Sequence, residues 1–406
     1  MTNLQLFQPG KLGPLQLRNK SIRSAAFEGM AYNNSVSEDL IAYHRSVAKG
    51  GIGMSTVAYA ATGKSGLSFP HQLLLREEIK GDLRRLTDAI HQHGAAASIQ
   101  LGHCGNMANK QLTGLTPVAP TGGINLYGPT FPRTINKSDM TEIIDEFKKA
   151  IILVYESGFD AVEIHAGHGY LISQFLSPYT NKRKDEYGGS FENRKRFMVE
   201  VLSAVRDSMP SSMAMIVKMN SWDGFKSGIT KEEGILSARA IEQCGADALV
   251  VSGGFVSRAP MYVMRGRIPT DIMAYYIKEG WKKFFVKLMG NQLIKREEYK
   301  EGFFMEDAGK IKDSVKIPVI LVGGLNSIET IEKAEKMGFE YMAFARALIE
   351  NPNYINELQE GLRQKSDCTI CNYCVAKMYT EKMTCQFHEQ DIPSSLKRKI
   401  EKLNHG

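Results

Sequence analysis

Short apolar runs recur along the chain, with longer amphipathic stretches between them. Eight of these runs have the length and composition of buried strands, and helical spacing follows them. They lie at residues 22–27, 52–58, 95–101, 159–166, 214–220, 248–254, 318–324 and 341–345. Strands that alternate with helices indicate a parallel sheet, and eight such units close a barrel. The pattern therefore predicts an α/β fold, a (β/α)8 TIM barrel.

Two long segments interrupt the alternation. Residues 102–137 are rich in Gly, Pro and Thr and predict an irregular rim or a hairpin, whereas residues 255–313 exceed a plain helical return. Long loops on the catalytic face of a barrel often cap the site. We predict one barrel domain over residues 1–364 with these two capping insertions, followed by a cysteine-containing C-terminal tail over residues 365–406.

The composition is that of an ordinary soluble protein. Of 406 residues, 43% are hydrophobic and 23% are charged, and the net charge of +7 is spread along the chain. Because no basic block is present, a nucleic-acid partner is not implied. No apolar run reaches the length of about 18 residues that a membrane span needs, and the N-terminus lacks the pattern of a secretory signal. We expect no transmembrane span and a cytoplasmic location.

Side chains suited to catalysis stand where predicted strands end. The fourth run leads directly into His165, His168 and Tyr170. In a β/α barrel, the C-terminal ends of the strands carry the chemistry. On spacing alone, the histidine pair fits metal binding or packing as well as catalysis. Lys218 lies inside the fifth run, where a buried ammonium group without a partner would be costly, so a bound anion would explain it.

The ends of the seventh and eighth runs suit a phosphate group. Gly323 and Gly324 supply a backbone turn, and Arg346 follows the eighth run. Barrels commonly bind phosphate at this place through backbone amides and the N-terminus of a short helix. An arginine adds two parallel charge-assisted hydrogen bonds. The alternative is a glycine turn beside a surface arginine that binds no ligand.

The chain resembles the old yellow enzyme family of FMN-dependent oxidoreductases, the NADH:flavin oxidoreductase group. The resemblance runs from LFQPGKLGPLQLRNKSIRSAAFEGMA to ENPNYINEL, and its most specific part is GFDAVEIHAGHGYLISQFLSPYTNKRKDEYGGSFENRKRF. Three further motifs, QLGHCG, VKMN and VGGLNS, occur in family order. The resemblance implies bound FMN and NAD(P)H as a transient reductant, and no G-x-G-x-x-G motif indicates a separate dinucleotide domain.

The resemblance also implies roles for individual residues. His165 and His168 would hydrogen-bond the carbonyl oxygen of an α,β-unsaturated substrate, and Tyr170 would donate a proton, as in an ene-reductase. The implied flavin contacts are Ser24, Ala25, Ala26, Ala58, Gln100, Lys218, Gly323, Gly324, Ala345 and Arg346. Ala345 stands where the family normally has glycine. A homo-oligomer is a further family expectation.

Four of the six cysteines lie close together near the C-terminus. Cys368, Cys371, Cys374 and Cys385 form a C-x2-C-x2-C-x10-C pattern, which in a cytosolic chain favours metal over disulfides. The pattern resembles that of one branch of the family, in which cysteines at a similar place hold a four-iron cluster. In that branch the spacing between the cysteines is slightly longer, and a further C-terminal module follows the barrel. A 4Fe-4S cluster, zinc and a metal-free relic all stay open.

Three functions are compatible with these observations. The leading one is an FMN-dependent ene-reductase. The second is an iron–sulfur flavoprotein that reduces an acyl-CoA-like or other anionic substrate and receives electrons from an electron-transfer protein. The third is a non-catalytic flavin- or phosphate-binding barrel. Retention of the two histidines together with the tyrosine argues against the third.

Overall fold

A closed barrel of parallel strands forms the centre of the molecule. The computed structural model describes residues 4–125, 130–266, 268–277, 280–378, 380–390 and 392–404. The strands are β1 (Gly10–Leu12), β2 (Leu15–Leu17), β3 (Ser21–Arg23), β4 (Met54–Ala61), β5 (Leu73–Leu74), β6 (Ala96–Gly102), β7 (Val118–Ala119), β8 (Arg133–Thr134), β9 (Ala161–Ala166), β10 (Ala214–Asn220), β11 (Ala248–Ser252), β12 (Val319–Val322) and β13 (Tyr341–Phe344).

Eight of these strands close the barrel. They pair in the order β3, β4, β6, β9, β10, β11, β12, β13 and back to β3, and every pairing is parallel. The predicted TIM barrel is confirmed. Strands β4, β9, β10 and β11 are buried along their whole length. Burial on both faces is expected where helices cover the outside and side chains fill the inside.

Helices surround the barrel and form its insertions. They are α1 (Glu38–Lys49), α2 (Lys80–His91), α3 (Lys110–Thr113), α4 (Lys137–Glu156), α5 (Leu171–Leu176), α6 (Phe191–Arg194), α7 (Arg196–Ser208), α8 (Lys231–Gln243), α9 (Pro260–Met264), α10 (Thr270–Tyr276), α11 (Gly280–Leu293), α12 (Met305–Lys312), α13 (Ile328–Lys336), α14 (Arg346–Glu350), α15 (Tyr354–Glu360), α16 (Tyr373–Lys377) and α17 (Ser394–Asn404). None of the helices that the structure describes is both long and apolar enough to cross a bilayer.

The two ends of the barrel differ. The hairpin of β1 and β2 places Leu12 and Leu17 against the inward-facing residues at the strand starts, so it closes the N-terminal end. The C-terminal end carries the insertions. The first insertion contains α3 and a short strand pair, β7 and β8. Because these two strands are parallel, they do not form a hairpin, and the insertion is an irregular rim. The second, residues 255–313, contains α9, α10, α11 and α12.

The segment after residue 365 packs against the second insertion. Tyr373, Leu396 and Ile400 form an apolar cluster with Ile272 of α10. The Met383 backbone N–H also donates a hydrogen bond of 2.7 Å to the Glu28 carbonyl oxygen. This segment therefore covers part of the C-terminal end of the barrel. The proposed domain boundary at residue 365 stays a prediction.

Candidate active site

The two histidines and the tyrosine singled out in the sequence lie together at the C-terminal end of β9. The ring centroid of His165 is 5.0 Å from that of His168 and 4.4 Å from that of Tyr170. The chain turns sharply here, because His168 adopts a left-handed φ of 57°. Its backbone N–H donates to Asn220 Oδ1 at 3.0 Å, which holds the turn against the end of β10. A strained backbone of this kind is typical of functional sites.

Both histidines are electrically neutral in this environment. Burial first, and then the proximity of His168 and of the Lys218 ammonium group, holds the pKa of His165 well below its usual range. Burial and Lys218 lower the pKa of His168 to about 3. The Gly167 N–H lies 3.4 Å from His165 Nδ1, an arrangement that leaves the ring proton on Nε2. His168 Nε2 lies 2.8 Å from Ser252 Oγ. At neutral pH the pair can therefore donate hydrogen bonds without carrying charge.

A second tyrosine, which the sequence analysis missed, completes this group. Tyr59 lies in β4, and its ring centroid is 4.9 Å from that of Tyr170 and 6.1 Å from that of His165. Its hydroxyl donates to the Gly66 carbonyl oxygen at 3.2 Å, and burial raises its pKa well above the usual range. The strand predicted from the sequence ends at Ala58, one residue before Tyr59. The sequence pattern therefore did not indicate that Tyr59 lies at the mouth of the barrel.

Lys218 has a buried carboxylate partner that the sequence analysis also missed. Its Nζ lies 2.8 Å from Glu163 Oε1, and both side chains are 3% exposed. The same oxygen accepts a hydrogen bond of 2.5 Å from Gln100 Nε2. A bound anion is therefore not required to explain the buried ammonium group, because Glu163 already balances its charge. The contact of Lys218 with a flavin stays a prediction. A signal was available, since Glu163 precedes His165 by two residues on a strand and so shares its face.

The residues predicted to contact a flavin line the same end of the barrel. Ser24 joins β3 to β13 through its backbone N–H, which donates to the Phe344 carbonyl oxygen at 2.8 Å. Five small residues at the strand ends are partly exposed, although the strands themselves are buried: Ala25, Ala26, Gly323, Gly324 and Ala345. Ala58 is buried beside Tyr59 in a small cluster that Ala25 and Tyr170 also contact. A row of small residues with accessible backbone fits a flat, phosphorylated ligand such as FMN.

The glycine turn after β12 leaves no room for a side chain. Gly323 has a φ of 104°, and a Cβ atom added there would lie 2.8 Å from Phe304 Cδ2. Gly324 has a φ of 72°, and an added Cβ would lie 2.9 Å from the Gly302 backbone nitrogen. Only glycine tolerates both the backbone conformation and this close approach.

Arg346 is partly exposed beside this turn and is held by the C-terminal segment. Its Nη1 donates to Asn372 Oδ1 at 2.9 Å, and Asn372 Nδ2 donates to the Arg265 carbonyl oxygen at 2.9 Å. The Arg265 guanidinium lies 4.1 Å from the Tyr262 ring centroid and 3.5 Å from Glu297 Oε2. Arg265 therefore makes an internal salt bridge and packs within the insertion.

The four clustered cysteines lie close enough to one another to interact electrostatically. Burial first, and the neighbouring thiols after it, raise the pKa of Cys374 and of Cys385 to about 12. Cys368 and Cys371 are the neighbouring thiols in both cases. No disulfide joins the four. Across the described residues, no three His, Cys, Asp or Glu side chains are arranged to hold a metal ion.

Comparison with known proteins identifies the family. The sequence model of the NADH:flavin oxidoreductase / NADH oxidase family matches residues 5–288. The chain belongs to this family. It is 36% identical over 378 residues to the 4,4'-dithiodibutanoate disulfide reductase of Rhodococcus erythropolis, an alignment that covers 92% of this chain and 93% of that protein. It is 30% identical to the NADH oxidase of Thermoanaerobacter brockii, which covers 90% of this chain and 52% of the relative. The chain thus spans about half the length of that relative.

A solved structure agrees with the family assignment at the level of the fold. The old yellow enzyme homologue from Zymomonas mobilis superimposes with a TM-score of 0.72 at 22% identity, over 96% of this chain and 99% of that one. This likeness concerns the fold alone. The family match shows that the chain is an NAD(P)H-dependent flavin oxidoreductase, as the sequence resemblance implied.

Proposed function

We propose that this flavin oxidoreductase is an ene-reductase, which saturates the activated C=C bond of an α,β-unsaturated carbonyl compound. The observation that carries the proposal is the group of two neutral imidazoles and a phenol, with ring centroids 4.4–5.0 Å apart, at the barrel mouth. When bound, FMN supplies the hydride, which originates from NAD(P)H and passes to the β-carbon of the substrate.

Three sets of residues would hold the cofactor. Gln100 and Lys218 would meet the pyrimidine edge of the ring. The backbone of Ser24, Ala25, Ala26 and Ala58 would lie against the ring itself. Gly323, Gly324, Ala345 and Arg346 would bind the phosphate, for which the backbone of the glycine turn and the guanidinium are chemically suited.

The histidines would act on the substrate oxygen. His165 donates from Nε2, and His168 donates from Nδ1 when the Ser252 hydroxyl donates to its Nε2. Two fixed N–H donors stabilise negative charge as it develops on the carbonyl oxygen. The β-carbon thereby becomes a better hydride acceptor. Because both rings are neutral, this polarisation comes from hydrogen bonds and not from a positive charge on the histidines.

Tyr170 would supply the proton that completes the reaction. Hydride adds to the β-carbon, the Tyr170 hydroxyl proton adds to the α-carbon, and the phenolate regains a proton from solvent. The two additions together deliver two electrons and two hydrogens, so the product is the saturated carbonyl compound. The ring is positioned for this role by packing against both His165 and Tyr59.

Replacement of Tyr170 by phenylalanine tests the proposal. A positioned general acid contributes about 100- to 10,000-fold, so we expect alkene reduction to fall by this factor. Reduction of the bound flavin by NADH or NADPH is expected to stay unchanged, because it needs no proton from Tyr170. Stopped-flow absorbance with 2-cyclohexen-1-one as oxidant separates the two half-reactions. The control is Tyr179→Phe, at a tyrosine that is 39% exposed. Full alkene reduction by the Tyr170→Phe enzyme would exclude this role.

The Rhodococcus relative supports a second candidate, reduction of a disulfide. Its name assigns it a disulfide substrate, and the identity of 36% extends over nearly the whole of both chains. Hydride transfer to one sulfur of such a substrate yields one thiol and one thiolate. The assay is NADH-dependent release of thiols from 4,4'-dithiodibutanoate. Thiol release faster than alkene reduction would favour this function over the first.

The cysteine cluster supports a third candidate, the iron–sulfur reductase of an acyl-CoA-like or other anionic substrate. The supporting observation is that the four thiols lie within electrostatic reach of one another, and that Cys368 and Cys374 are also within reach of Arg346. Such an enzyme would take single electrons from an electron-transfer protein. Iron and sulfide analysis after anaerobic purification tests it, and four irons per chain is the supporting result. A cytoplasmic location and a homo-oligomer stay predictions.

A further inference from the structure

Glu163 is a buried acid at the centre of the predicted flavin-binding residues. It lies in β9, opposite Gln100 of β6 in the strand register. It is buried, and one oxygen, Oε1, both accepts from Gln100 Nε2 at 2.5 Å and contacts Lys218 Nζ at 2.8 Å. Lys218 Nζ also donates to Ser24 Oγ at 3.5 Å. One carboxylate therefore holds two of the side chains that are assigned to the pyrimidine edge.

The two partners need Glu163 for different reasons. A buried ammonium group without a counter-charge is costly, so Lys218 requires a carboxylate or another anion. Gln100 requires only an acceptor, and an amide oxygen would serve it equally well. A change of Glu163 to glutamine therefore retains an acceptor for both side chains but removes the negative charge. The effect of the charge of Glu163 can therefore be measured separately from the effect of its hydrogen bonds.

We propose that Glu163 is a positioning residue that offsets the charge of Lys218 at the flavin pyrimidine edge and so sets the reduction potential of the bound cofactor. This inference rests on the proposed binding of FMN with Lys218 beside its pyrimidine edge. Reduced flavin carries its negative charge at that edge, so the reduced form gains most from an unopposed cation. The carboxylate of Glu163 lowers this gain. Removing it favours the reduced form over the oxidised form.

The expected result follows from this sign. In Glu163→Gln, the ratio of the FMN dissociation constants for oxidised and reduced flavin rises about tenfold or more. A tenfold rise corresponds to an increase of about 30 mV in a two-electron potential. The potential is measured by equilibration with reference dyes, and oxidised FMN binding is measured by fluorescence titration of apoprotein. Neither readout depends on turnover.

Two further variants separate charge from structure. Glu163→Asp keeps the charge on a shorter side chain, so its potential is expected to lie between those of the wild type and Glu163→Gln. Asp247→Asn is the matched control, because Asp247 pairs with Arg206 at the start of β11, the opposite end of the barrel. Its potential is expected to equal that of the wild type.

The outcomes distinguish this inference from the proposed function. A wild-type protein that does not bind FMN would remove the basis of both. FMN binding with an unchanged potential in Glu163→Gln would overturn the role of Glu163 alone. If Glu163→Gln does not fold, the double variant Glu163→Gln/Lys218→Gln carries the test by comparison with Lys218→Gln alone, in which the carboxylate is left without the cation. The double variant is expected to have the higher potential of the two, and equal potentials would likewise overturn the role of Glu163.

Discussion

A second buried carboxylate, that of Glu28, lies beside residues that are predicted to contact the flavin. Glu28 Oε1 lies 2.7 Å from Arg23 Nη1 and 3.2 Å from His44 Nε2, and it accepts from the Ala58 backbone N–H at 3.1 Å. Arg23 is fully buried, and its Nη2 donates to the Ala26 carbonyl oxygen at 2.7 Å. One acidic side chain thereby connects the ends of β3 and β4, where flavin contacts are predicted.

Replacement of Glu28 by glutamine is expected to destabilise the fold strongly. It leaves the Arg23 guanidinium buried without a counter-charge, which typically costs about 3–5 kcal/mol. Urea unfolding followed by circular dichroism measures the change. The control is Glu156→Gln, which removes one of the two carboxylate partners of the partly exposed Lys80 ammonium group. No measurable change is expected there, because solvent screens exposed pairs. A loss of stability as small as in the control would show that Arg23 is not buried as described.

Contacts between the C-terminal segment and the ends of barrel elements help to hold the site together. The C-terminal segment reaches the barrel through Asn372, which is 1% exposed and stands between Cys371 and Cys374 with a left-handed φ of 57°. Its side chain joins Arg346 to the backbone of Arg265. The segment that carries the four cysteines is therefore hydrogen-bonded to Arg346, the residue that is predicted to bind phosphate.

Replacement of Asn372 by alanine is expected to weaken FMN binding. Without the acceptor at 2.9 Å, the Arg346 guanidinium loses one of its fixed partners and must be ordered by the ligand. Loss of one such hydrogen bond is worth about 1–2 kcal/mol, or roughly a 5- to 30-fold rise in the dissociation constant. Fluorescence titration of apoprotein gives this constant. Gln386→Ala, which removes an exposed hydrogen bond to Thr369 in the same segment, is the control. Equal affinities in both variants would argue against the link.

Across the whole molecule, several histidines are buried in their neutral form. Burial lowers the pKa of His44 and of His165, and it lowers that of His103 to about 4 and that of His168 to about 3. The unfolded chain then binds protons at a higher pH than the folded chain does. Stability is full above the unfolded value of about 6.5 and is lost as the pH falls towards the folded values.

His103 allows this effect to be measured outside the proposed catalytic group. It accepts from the Gly105 N–H at 3.0 Å through Nδ1, a contact that asparagine can reproduce. His103→Asn is expected to reduce the loss of stability between pH 6.5 and pH 4 by about 3 kcal/mol, from the size of the pKa shift. Chemical unfolding at a series of pH values provides the comparison. His93→Asn, at a partly exposed histidine, is the control. If the variant lost as much stability between pH 6.5 and pH 4 as the wild type, burial of a neutral His103 would be contradicted.

Much of the architecture could be predicted from local patterns. All eight predicted strands overlap barrel strands, because burial on both faces produces continuous apolar runs that a single segment displays by itself. The boundaries were less accurate. The first strand was predicted to end at residue 27, but it ends at Arg23.

The sequence by itself determined the barrel, the family and the position of His165, His168 and Tyr170 at one strand end, since these depend on residues that are near one another in the chain. Tertiary structure decided which charges meet. Glu163 and Gln100 are 63 positions apart, and Asn372 and Arg265 are 107 apart. Contacts of this range depend on strand order and on the packing of the C-terminal segment, and a local pattern carries no record of either.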